Sequence, residues 1–120
     1  MKFLTIYTPA QKHAGGPPSK KHMEEMGKLI DEGMKSGVLL STGALLPLSK
    51  GARVRYSGGN LTVMDGPFTE AKEVIAGFAM LQLNSKEEAI ESVKSFLKVA
   101  GEGESDLFQI MEPGVDFPNA

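Results

Sequence analysis

The first apolar run, Lys2 to Tyr7, is β-branched and aromatic and predicts a strand stopped by Pro9. A loop through Gly15-Gly16-Pro17-Pro18 leads to Ser19, a residue suited to capping a helix. From Lys20 to Ser36, Met23, Met26, Ile30 and Met34 recur at three- and four-residue spacing, and Leu29 flanks them. Glu24, Glu25, Lys28, Asp31, Glu32 and Lys35 take the opposite arc, so the segment reads as an amphipathic helix ended by Gly37. Gly27 and Gly33 lie on or beside its apolar stripe, where they permit close approach to a sheet.

Two short apolar segments follow, Val38-Leu39-Leu40 and Ala44 to Leu48, interrupted by Gly43 and Pro47. Ala52 to Tyr56 and Leu61 to Met64 flank Ser57-Gly58-Gly59-Asn60, a glycine-rich hairpin signal. The turn Asp65-Gly66-Pro67-Phe68 then precedes a polar run and the longest apolar stretch, Val74 to Leu83. Phe78 and Met80 point one way along it, Ala79 and Leu81 the other, so both faces of this strand need cover. Ser85 with Glu88 forms a capping box for a second helix to about Ala100, with Gly101 as its stop. Leu107 to Met111 predicts the last strand, and 113–120 is a tail behind a single domain over 1–112. The order is βαββαβ with an extra central hairpin, an α+β ferredoxin-like sandwich. Two helices cover one sheet face; the other is expected to pack on a second copy of the chain.

Composition narrows the chemistry. With 120 residues and 41% hydrophobic side chains the chain suffices for one core, and the absence of cysteine excludes disulfides, thiol nucleophiles and cysteine-ligated metals. A net charge of -2 gives no electrostatic footprint for nucleic acid. The N-terminal apolar run is too short for a signal peptide and far below the ~20 residues of a membrane span, so a soluble cytoplasmic protein is expected. No nucleotide-binding glycine loop follows a strand, and the two histidines lack metal-ligand spacing, so neither cofactor nor metal is expected.

The run Met64-Asp65-Gly66-Pro67-Phe68-Thr69-Glu70-Ala71-Lys72-Glu73, followed by Ile75-Ala76-Gly77-Phe78, resembles the YCII-related family in its DGPF subgroup. The likeness extends upstream to 35–40 and Gly43-Ala44-Leu45-Leu46-Pro47. It implies a ferredoxin-like chain that pairs through its sheet as a dimeric α/β barrel, and small-molecule enzymes or ligand-binding proteins with a histidine–aspartate pair.

Asp65, at a strand end before Gly66-Pro67, reads either as a turn cap or as a base facing a cleft. His22 falls in the first turn of the first helix, where free amides disfavour a cation and suit a neutral proton acceptor; the alternative is a half-buried amphipathic residue. His13, in a Gly/Pro-rich loop, reads as solvated. Arg53 and Arg55 share one face of a strand, as an anion clamp or a solvated pair. Glu70 and Lys72 resemble the motif's polar positions or form a local ion network, and Tyr7 either offers a phenol to a ligand or closes the core. Two functions compete: a cofactor-independent enzyme moving a proton on a small organic substrate with Asp65 and His22, and a non-catalytic dimeric module for a small ligand or protein partner.

Overall fold

Local signals set the helix boundaries. In the computed structural model, which describes residues 1–10, 19–64 and 77–116, the Ser19 hydroxyl accepts from the His22 amide at 3.1 Å and opens α1 (Lys20–Ser36). Gly37 closes this helix in the left-handed conformation. Ser85 does the same for α2 (Lys86–Ala100), accepting from the Glu88 amide at 3.1 Å. The Glu88 carboxylate reaches one residue further back than a simple capping box, accepting from the Asn84 amide at 3.0 Å.

The strands are β1 (Lys2–Pro9), β2 (Leu39–Ala44), β3 (Arg53–Ser57), β4 (Asn60–Met64), β5 (Gly77–Gln82) and β6 (Gly103–Gln109), with a short 3-10 turn at Leu48–Lys50. Four of them form an antiparallel sheet in the order β2-β5-β1-β6, while among the described residues β3 and β4 pair with each other alone. This is the ferredoxin-like order, with the β3–β4 hairpin inserted between the second and third strands of the sheet.

Registry separates the two sheet faces. Phe3 pairs with Leu81, and Thr5 with both Ala79 and Leu107, on the side where α2 contributes Ala89. Phe3, at 1% exposure, is the largest fully buried side chain, and it centres a core of Phe3, Leu81 and Ala89 with Val38, Leu39 and Leu83 around it. On the opposite side Leu4 pairs with Met80 and Phe108, and Ile6 with Phe78. Neither helix reaches that side, so the expected apolar second face is present on β5 and its neighbours.

Three strand boundaries differ from the sequence reading. Gly43 lies inside one continuous β2, with a bulge between Leu39 and Ser41, because the Phe78 ring lies across it; a Cβ there would come within 2.9 Å of that ring. β1 continues to Pro9, and β6 begins at Gly103, not Leu107, since Thr8 and Pro9 pair with Glu104 and Gly103. An edge strand faces solvent along one side, so the polar stretch 102–106 is compatible with pairing there. In α1, a Cβ on Gly33 would meet that of Leu39 at 2.8 Å, whereas Gly27 faces open space, so the close approach belongs to Gly33 alone.

Candidate functional site

Asp65, Glu70, Lys72 and His13 lie outside the described residues, as do Gly66 and the turn that follows it. The remaining candidates sit on three separate elements. His22 is the third residue of α1, half-buried, with its amide committed to the Ser19 cap. Its imidazole makes no hydrogen bond or ion pair among the described residues.

Tyr7 belongs to the helix-covered face of β1. Its ring meets Phe96 of α2 edge to face, with centroids 5.3 Å apart and planes at 85°. The phenol donates to the Glu102 carbonyl at 3.3 Å, tying β1 to the turn that ends α2. Burial pushes this phenol above its ordinary value of 10.0. That bond uses the phenolic hydrogen, so the oxygen can still accept. No hydrogen bond joins Tyr7 to His22.

Arg53 and Arg55 stand on one side of the hairpin, opposite Met64 and Thr62. The hairpin, not the main sheet, carries them. The shallow groove lined by Glu25, Lys28, Leu29, Glu32 and Val99 runs between the helices and includes none of the candidates. Among the described residues no cluster of three or more His, Asp and Glu side chains could hold a metal ion. None of their helices is long and apolar enough to cross a membrane.

Two groups on the helix-covered face escaped the sequence reading. The hydroxyls of Thr5 and Ser105 are buried without a hydrogen-bond partner among the described residues, and Ser105 pairs with Tyr7 across the β1–β6 ladder. Alternation alone places an isolated Thr or Ser on a strand, but only registry shows that two of them and the Tyr7 ring fall on the same covered side.

The arrangement therefore offers one unengaged imidazole, one phenolic acceptor and an apolar sheet face. An uncharacterised protein of Rhizobium meliloti (strain 1021) is 33% identical over 69 residues, covering 58% of this chain. The chain spans 56% of that relative's length. The YCII-related domain matches residues 1–103, which takes in the whole sheet up to the first residue of β6 and both helices. The chain belongs to the YCII-related family.

Proposed function

We propose that this YCII-related protein, of the DGPF type, is a cytoplasmic homodimer that binds a small organic molecule and transfers a proton on it with His22 and Asp65. The observation that carries the dimer is the open sheet face: Leu4, Ile6, Phe78, Met80 and Phe108 lie opposite the helix-packed core, and among the described residues no helix lies on them. Burying such a face against a second copy stabilises by roughly 25 cal/mol per Å² of apolar area. The unengaged imidazole of His22 supports an acid–base role, and Tyr7, Arg53, Glu70 and Lys72 are the groups assigned to orient the ligand.

Small carboxylic acids, lactones and phenols screened by thermal shift test the reading. A ligand at ~100 times its dissociation constant adds about 2.7 kcal/mol to stability. The expected outcome is a hit that stabilises the parent but not Asp65→Asn or His22→Gln, both of which remain folded. Equal stabilisation of all three chains overturns the catalytic pair and leaves a non-catalytic ligand-binding dimer. A chain that sediments as a monomer at micromolar concentration overturns the dimer.

A further inference from the structure

Tyr7 is half-buried, and only the donor of its hydroxyl is in use. The hydrogen goes to the Glu102 carbonyl at 3.3 Å, and that carbonyl also accepts from the Ala10 amide at 3.1 Å, so its position is tied to the main chain of both strands' ends. The ring is steadied by its edge-to-face contact with Phe96. Burial disfavours the phenolate, so the oxygen carries its hydrogen well past neutral pH. What it offers a newcomer is therefore a lone pair.

Beside Tyr7 the covered face is short of hydrogen-bond partners. Thr5, two residues back on the same side of β1, is 8% exposed, and Ser105 stands directly opposite Tyr7. Neither hydroxyl has a hydrogen-bond partner among the described residues. Three hydroxyl oxygens thus share one side of the β1–β6 ladder, in a layer otherwise built from Phe3, Ala79, Leu81 and Leu107. Apolar packing has no use for them.

We propose that Tyr7 selects the ligand by accepting a hydrogen bond, so that the molecule bound here is an alcohol or a phenol and not the corresponding ether or lactone. The inference rests on the small-molecule reading above and narrows its ligand class. An ether or lactone oxygen can only accept. To bond with Tyr7 it must draw the phenolic hydrogen away from the Glu102 carbonyl, which unties β1 from the turn after α2. A ligand hydroxyl donates to the free lone pair and leaves that tie in place. Sites that pair with a substrate hydroxyl discriminate strongly against analogues lacking it.

Matched compounds titrated by calorimetry into the full chain test this: phenol against anisole, p-hydroxybenzoate against p-methoxybenzoate, and γ-hydroxybutyrate against γ-butyrolactone. In the parent the hydroxyl member of a pair should bind roughly fivefold tighter, the size of one net hydrogen bond. In Tyr7→Phe, which keeps the aromatic ring against Phe96, the two members should bind within about twofold of each other. A merely structural Tyr7 would weaken both members alike, so a ratio unchanged in Tyr7→Phe overturns the inference. Equal binding of both members by the parent overturns it too. A preference for the hydroxyl member that Tyr7→Phe abolishes but Asp65→Asn and His22→Gln retain, with undiminished binding, upholds the ligand class while overturning the catalytic pair. Failure of every compound to bind overturns both.

Discussion

The molecule contains two antiparallel β regions built from the same kinds of residue, yet they meet water differently. In the four-stranded sheet, β1 buries Phe3 and Thr5 beneath α2, and even the open side of its inner strands is half-buried by neighbours. In the β3–β4 ribbon every position but Met64 is exposed, including two valines, a tyrosine and a leucine. Strand propensity and alternation are equally good in both. Stability in the first comes from a helix laid on the sheet, and among the described residues no helix lies on the second, so the contrast shows that packing, not strand character, decides where folding energy resides.

Substitutions in the sheet should therefore be costly, and they fall in a definite order. Phe3→Ala empties the centre of the core and should lower stability by about 3–5 kcal/mol, read as a shift of the urea midpoint. Gly103→Ala should cost ~1–3 kcal/mol through overpacking, because its Cβ would sit 2.6 Å from the Thr8 carbonyl oxygen and 3.0 Å from the Pro9 Cα, backbone atoms that cannot rotate away. An unchanged midpoint for Gly103→Ala would mean that the far end of the β1–β6 ladder is not formed in solution. Ser85→Ala removes the α2 cap and should cost ~1 kcal/mol, while leaving the ribbon's exchange behaviour unchanged.

Both helices and the hairpin were legible because each is marked locally, by caps at Ser19 and Ser85 and by two glycines at 58 and 59. The apolar second face of β5 was legible too, from alternation of Phe78 and Met80 against Ala79 and Leu81. The start of β6 was not, since Glu102 to Asp106 is polar and pairs only because Tyr7, Thr8 and Pro9 continue alongside it. Gly43 read as a break for a similar reason: the Phe78 ring that makes a glycine necessary comes from 35 residues away. Of the candidate site, the sequence pointed to residue types but not to their neighbours. The commitment of the Tyr7 phenol to the Glu102 carbonyl depends on a contact across 95 positions, which no local pattern encodes.

The two tyrosines sharpen the comparison at its finest scale, since Tyr7 packs in the body and Tyr56 is 73% exposed on the ribbon. The chain has no tryptophan, so tyrosine signals are read without interference. In the Tyr56→Phe variant the remaining phenol should ionise above 10.0, because burial disfavours its charged form. The unfolded chain releases this proton first, near pH 10, so unfolding above that pH is accompanied by proton loss. The contribution of Tyr7 to stability is thus intact below pH 10 and declines as pH rises from there through the higher folded value. Lysines titrate in the same range, so the useful quantity is the stability of the parent minus that of Tyr7→Phe. That difference should be flat below pH 10 and fall above it. A difference that stays flat through the alkaline range, or a phenol that ionises at or below 10.0, would mean that Tyr7 meets water as freely as the ribbon does.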